Sequence, residues 1–307
     1  MKPPRVLFLA YFFLTASSCA GSTPTRPIHR HDTHAHYIYH PAKTFHHLVG
    51  SHSGDNVTGI KDVKSYLQRF GYLNNHKDSN YRLDDSFDSS LERAVLTYQS
   101  FFKLNKTGVL DKDTISMMSK PRCGNLDIVN NSNINFPLSP SIRSRMLYKF
   151  APGKPKRTKD ELYVVIQNNV PSELVDAIRH AFADWEPYIP LQFLPTNEPG
   201  GVVPDIRVGF YKGDHGDGQA FDGLRGILAH SSFSLGVLHF NAEQYWTIGS
   251  NPFSYDVATI ARHEIGHLLG LDHTDVHDAL MYPTFDHGMV KGIGIDDEAG
   301  IRALYGT

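Results

Sequence analysis

The segment His263-Glu264-Ile265-Gly266-His267-Leu268-Leu269-Gly270-Leu271-Asp272-His273 constrains this chain more than any other stretch. Histidines four apart project from one face of an α-helix, so His263 and His267 meet at one metal ion only if the segment is helical. The spacing predicts a helix from about Tyr255 to Leu269. His273 lies six residues beyond His267, where a continuing helix would point it away. The helix must therefore stop, and Gly270 is the residue able to take the backbone conformation that turns the chain back. Three neutral imidazoles leave a fourth tetrahedral position open to water, the pattern of a catalytic rather than a closed structural zinc site. Glu264, next to the first ligand and one turn from the second, is placed to act as general base on a water whose pKa zinc lowers to about 7.

Composition supports a globular protein around this string. Of 307 residues, 30 are Lys or Arg and 32 are Asp or Glu, with 40% hydrophobic residues. Such a balance provides no basic field for phosphates and too much apolar content for a disordered scaffold, which argues against nucleic-acid partners. At roughly 150 residues per domain the length suggests two domains. Lys2, Arg5, the apolar run Val6 to Leu14 and the small residues Ser17, Ser18 and Ala20 read as a secretory signal peptide over residues 1–20. The run is too short for a membrane span, which takes about 20 residues, and the C-terminal residues lack the hydrophobic tail of a lipid-anchor signal. Sequons at Asn56, Asn105 and Asn130 agree with an extracellular destination. If Cys19 leaves with the signal, Cys123 is the single thiol of the mature chain. An inert buried residue, an intermolecular bridge and a thiol held for a purpose are all open readings.

Residues 21–54 are rich in Pro, Thr, Ser and His without apolar periodicity, and read as a mobile arm. Residues 55–127 read as a small helical unit. Val63, Tyr66, Leu67 and Phe70 follow helical spacing with Gly71 as a stop, Ser89 and Glu92 suggest a capping box, and Asp111 opens a third helix. An Asn-, Ser- and Pro-rich linker over 128–145 leads to residues 146–307, with a basic stretch near Lys149 to Lys159 that suits proteolytic nicking. There the pattern changes to strands at Leu162–Ile166, Leu191–Leu194, Ile206–Phe210, Ile227–Ser232 and Val237–Phe240, with helices from Pro171, from Tyr255 and from Asp296. The class expected is α+β.

Shortly after His273 comes Ala279-Leu280-Met281-Tyr282-Pro283, and upstream stands Pro121-Arg122-Cys123-Gly124-Asn125-Leu126-Asp127. With the histidine string these resemble the matrix metalloproteinases of the metzincin clan, in a short plant-type form. Thr274 after the third histidine is also similar to that family. The resemblance implies a metzincin catalytic domain, a twisted mixed five-stranded sheet with three helices, preceded by an all-helical peptidoglycan-binding-like prodomain. It implies Met281 as the apolar floor of the zinc site, and Cys123 as a switch residue that fills the fourth zinc position in a latent proenzyme, with Arg122 and Asp127 supporting it. His215, Asp217, His230 and His239 would hold a second, structural zinc. Calcium would bind Asp222 and the carbonyls of Gly223, Arg225 and Ile227. Here the chain departs from the pattern, because Asn241 and Gln244 stand where acidic residues are usual, so the calcium site loses charge and affinity. A second calcium position has Asp205 but Val237 opposite it, and the stretch between His230 and His239 looks shortened. Of Asp296 and Asp297, one would bind the new N-terminus after activation.

The reading is a secreted, monomeric zinc endopeptidase, extracellular or apoplastic, acting on protein or peptide substrates and activated by another protease. Substrate would lie along Ile227–Ser232, with a pocket bounded by Pro283-Thr284-Phe285. One alternative is a carbohydrate- or cell-wall-binding module with a non-catalytic zinc domain; a purely structural or inhibitory metal protein is the other.

Overall fold

The computed structural model describes residues 45–73, 83–128, 148–153, 155–196, 202–224 and 226–307. The signal peptide, most of the histidine-rich arm, Asn130, nearly all of the linker and Arg225 lie outside the described residues.

The N-terminal unit consists of a short 3-10 turn, Phe45–Leu48, and helices α1 (Ile60–Arg69), α2 (Ser89–Phe101) and α3 (Lys112–Met118). Val63, Tyr66, Leu67 and Phe70 are buried at their helical spacing, and Gly71, at φ 87, leads the chain out of α1. Asp111 caps α3 through the backbone N–H of Thr114. The cap of α2 is Asp88, one residue before the expected Ser89, and its carboxylate accepts from the N–H groups of Ser90 and Leu91. Its other oxygen accepts from the fully buried ammonium of Lys64 at 2.7 Å. Asp88 can serve both partners at once, which Ser89 cannot, so the helix starts there. Phe45 and Leu48 belong to the same core, so packed structure begins upstream of Asp55.

Strands β1 (Arg122–Cys123), β2 (Lys149–Phe150), β3 (Glu161–Ile166), β4 (Gln192–Pro195), β5 (Ile206–Tyr211), β6 (Ile227–Ser232) and β7 (Val237–Asn241) follow. The main sheet runs in the order β1-β6-β7-β5-β3-β4, with β6 antiparallel to β7 and the other pairs parallel. Five of these strands are the expected sheet. The sixth, β1, was not expected as a strand: it is the Arg122–Cys123 segment laid along the outer edge of β6.

Helix α4 (Val175–Ala183), entered through a 3-10 turn at Ser172–Leu174, packs against α5 (Val257–Leu269), and both lie against the sheet. Ile178, Phe182 and Trp185 fill the interior between them. Tyr255 and Asp256 form a strand with Trp246–Thr247, and Asp256 caps α5, so that helix begins slightly later than spacing suggested. Gly270 ends α5 at φ 108, and a Cβ there would stand 2.0 Å from the Pro155 carbonyl oxygen. Glycine is needed for both reasons. Leu271–Asp272 then pairs antiparallel with β2, which carries His273 back toward α5. Helix α6 (Ile295–Tyr305) completes the domain. No described helix is long and apolar enough to cross a membrane.

Candidate active site

Helix α5 puts His263, Glu264 and His267 in the interior, and the return after Gly270 adds His273; all are buried. His263 Nε2 lies 3.2 Å from Nε2 of both His267 and His273. Each ring commits its other nitrogen to an acceptor. His263 Nδ1 donates to Leu280 O at 2.8 Å, His267 Nδ1 to Leu271 O at 3.0 Å, and His273 Nδ1 to the Asp127 carboxylate at 2.7 Å. Carbonyl and carboxylate oxygens only accept, so the protons sit on Nδ1 and every Nε2 presents a lone pair to the others. Burial pushes all three imidazoles below their ordinary range, so none carries the positive charge that would relieve this. Three lone pairs aimed at one point require a cation there, and the separations suit zinc: Zn–N bonds of about 2.0–2.1 Å in a tetrahedron give N···N of roughly 3.3 Å.

The fourth direction holds Cys123, whose Sγ lies 3.6 Å from His267 Nε2, close to the ~3.6 Å that tetrahedral Zn–S and Zn–N bonds imply. Protein groups alone disfavour a thiolate here. Burial, followed by the Glu264 carboxylate, pushes the thiol well above its usual range, so an anionic sulfur needs a cation beside it. Four donor atoms of Cys123, His263, His267 and His273 lie within 4.8 Å of one another.

The Cys123 segment is held from both sides. Arg122 N donates to Gly226 O and Gly124 N to Ala229 O, while Cys123 N donates to Pro283 O and Phe285 N to Pro121 O. Residues 121–124 thus occupy the groove between β6 and the Pro283-Thr284-Phe285 stretch. Beneath them the buried Arg122 guanidinium pairs with Asp127, donates to the Tyr66 hydroxyl, and stacks 3.5 Å over the Phe70 ring. Asp127 also accepts from Tyr72 and His273. Burial alone would raise its carboxyl, but Arg122 and His273 hold it at about 2. The expected Arg122–Asp127 pair is present, and Asp127 additionally reaches one of the three histidines.

Glu264 is fully buried, and burial raises its carboxyl to about 7. Ser231 Oγ lies 2.8 Å from Glu264 Oε2 and 3.0 Å from its main-chain oxygen. Sequence reasoning missed Ser231. Strand alternation was the available signal, since the residue after His230 must face the other side of β6, where α5 packs. Met281 packs against α5 at Gly266, between His263 and His267: a Cβ on Gly266 would stand 2.4 Å from its Sδ. Asp297 accepts from the N–H groups of Leu280, Met281 and Gly294, so it is already engaged in holding that turn. Of the acidic pair, Asp296 keeps one buried oxygen, Oδ2, without a hydrogen-bond partner among the described residues.

A second cluster gathers His215, Asp217, His230 and His239. Asp217 Oδ2 lies 2.7, 2.9 and 3.2 Å from nitrogens of His230, His239 and His215. Burial, then His230, lowers His239 to about 4, and burial lowers His230, so these rings are also neutral donors. At the calcium positions, Asp222 Oδ1 accepts from Ile227 N, while Asn241 and Gln244 turn their amide nitrogens to the Gly223 carbonyl. Asn56 and Asn105 are exposed.

Three uncharged imidazole donors, a fourth direction that Cys123 fills from a segment lying along β6, and a carboxyl poised near neutrality together define a metal-dependent hydrolase centre. Comparison with known proteins carries this further. Residues 156–306 match the matrixin family and residues 56–118 match the putative peptidoglycan binding domain. Metalloendoproteinase 5-MMP of Arabidopsis thaliana is 39% identical over 280 residues, 86% of this chain and 76% of that protein. Metalloendoproteinase 2-MMP of the same plant is 35% identical over 98% of this chain and 84% of its own length. Human matrix metalloproteinase-20 is 35% identical over 80% of this chain and 48% of its own. The chain belongs to the matrixin family and is a zinc endopeptidase of the matrix metalloproteinase type.

Proposed function

We propose that this chain is made as a latent, secreted proenzyme in which Cys123 is a zinc ligand, and that release of residues 121–127 from the groove exposes the site. The position of Cys123 Sγ in the one direction left by the three histidines carries this reading. His263, His267 and His273 would hold the zinc. When bound, zinc supplies positive charge that acidifies a water and polarises the scissile carbonyl. Glu264 takes the proton as the water attacks and returns it to the leaving amine. Ser231 donates to Oε2 and fixes the carboxyl, whose other side-chain partner is the Cys123 thiol, so release of Cys123 leaves the carboxyl able to receive that proton.

Substrate takes the groove now filled by residues 121–124, an extended strand between β6 and Pro283–Phe285. His215, Asp217, His230 and His239, which come from the loop after β5, from β6 and from β7, would hold a structural zinc. Activation is a cut after Asp127 by another protease, and Asp296, whose Oδ2 has no hydrogen-bond partner among the described residues, is the carboxylate that receives the new N-terminus.

Cleavage of a quenched fluorescent peptide tests this with residues 21–307 as wild type, as Cys123→Ser, and as Cys123→Ser with Glu264→Ala. The expected order is silence, activity, silence. A folded, zinc-loaded Cys123→Ser protein that cleaves no peptide refutes the reading, and polysaccharide binding by residues 21–127 would then be measured to test the wall-binding alternative.

A further inference from the structure

Gly223 and Ile227 are joined to the end of β7 and the turn after it by two side-chain amides. Asn241, fully buried, donates from Nδ2 to Gly223 O and to Ile227 O, each at 2.9 Å. Gln244, also buried, donates from Nε2 to the same Gly223 O at 2.9 Å. The Asn241 amide has one possible orientation. Its Oδ1 meets the main-chain N–H of Glu243 at 3.0 Å, and because that group can only donate, both Nδ2 protons must face the carbonyls.

Converging main-chain carbonyls are what a hard cation such as calcium takes as ligands. Here N–H protons lie against those oxygens, and both lone pairs of Gly223 O are used. Among the positions that the resemblance assigns to calcium, Asp222 alone carries a carboxylate, and its Oδ1 is engaged by Ile227 N. An ion would have to displace three hydrogen bonds donated by side-chain amides and meet the positive ends of their dipoles. The described residues of this set, which leave out Arg225, do not fit calcium. At the second calcium position, Asp205 pairs with the exposed Lys159 ammonium and accepts from Tyr163 N, so its carboxylate already has partners.

We infer that the Asn241 and Gln244 amides replace a bound cation, cross-linking Gly223 and Ile227 to β7 and making this domain independent of calcium. The consequence reaches the groove. Ile227 begins β6 and is the register partner of Arg122, so the edge that pairs with the Cys123 segment is positioned by covalent side chains rather than by ion concentration. The inference concerns stability and stands whether or not the chain proves latent.

The test uses the zinc-loaded full chain in buffer stripped of other divalent ions. Its thermal midpoint is followed, together with titration calorimetry, against CaCl2 to about 10 mM, roughly tenfold above the weakest extracellular calcium modules, with MgCl2 as control. Wild type should show no calcium-specific shift or heat. Asn241→Asp combined with Gln244→Glu turns carboxylates toward carbonyls with no proton between them. That variant should melt lower without calcium and recover by several degrees with calcium but not magnesium. A calcium-specific rise of several degrees in wild type overturns the inference, as does a double variant that melts like wild type and ignores calcium. If the double variant fails to fold, the wild-type titration still decides, and Asn241→Leu, which removes the donors without adding charge, should melt lower and show no calcium response.

Discussion

Asp127→Asn isolates the electrostatic part of the contact that holds Cys123 over the histidines. Asn keeps the shape of the side chain, and its oxygen can still accept from Arg122 and His273 while the Tyr72 hydroxyl rotates to accept from the amide. What disappears is the charge opposite a guanidinium that is 2% exposed. Removing one partner of a buried pair costs about 3–5 kcal/mol. Arg122 retains the Tyr66 hydroxyl, the Cys123 carbonyl and the Phe70 ring, so the lower end applies. At 1.36 kcal/mol per factor of ten, about 3 kcal/mol multiplies the population with Cys123 detached roughly a hundredfold. The readout is the rate of Cys123 alkylation by a maleimide in zinc-loaded protein, in a Glu264→Ala background that prevents self-cleavage. Alkylation within threefold of the parent, with zinc still bound, would refute the argument that the buried pair, rather than the Zn–S bond alone, holds the segment in place.

Ser231→Ala in the Cys123→Ser background should lower kcat about ten- to a hundredfold with little change in KM, the loss expected for a hydrogen bond to a charged group; equal kcat values would remove Ser231 from the catalytic arrangement. Gly266→Ala places a Cβ 2.4 Å from Met281 Sδ and should cost about 1–3 kcal/mol, read by thermal melting, with weaker zinc retention in chelator competition. Elemental analysis should find about two zinc ions per chain and one in His239→Ala, with His263, His267 and His273 still occupied; one zinc in wild type would sink the structural-zinc assignment. Lys64→Met tests the helical unit through pH. The Lys64 hydrogen bond holds Asp84 below its ordinary range, and in Asp88 hydrogen bonds from Lys64 and Leu91 N outweigh the upward effect of burial. Folded values below the unfolded ones contribute stability above about pH 4 that is lost as pH falls through the lowered values. The destabilisation by Lys64→Met should therefore be largest near neutrality and shrink below about pH 4, and a constant difference across that range would show that the ion pairs contribute nothing.

How much of this was legible in the sequence depended on whether a residue's partner was local. His263 and His267 are related by helix geometry alone, and Gly270 by the backbone conformation needed to end that helix, so both were readable from spacing. The cap of α2 was misread by one residue because Asp88 and Ser89 are equally good caps in isolation. The choice is made by Lys64, which approaches from another helix. Strand β1 carries no alternation to detect, since two residues cannot show a period, and its pairing with Ile227 and Ala229 is a long-range fact. Asp127 was expected to meet Arg122, five residues away, and it does. Its bond to His273, far along the chain, belongs to the assembled site. Asn241 marks the same boundary in chemical terms. The residue type announced a missing charge, which reads as a weaker calcium site. Only the Glu243 N–H, by taking Oδ1, shows that the amide presents donors to Gly223 and Ile227. A lost carboxylate lowers a cation's affinity, whereas a correctly turned amide removes the need for the cation, and that difference lies in orientation rather than in composition.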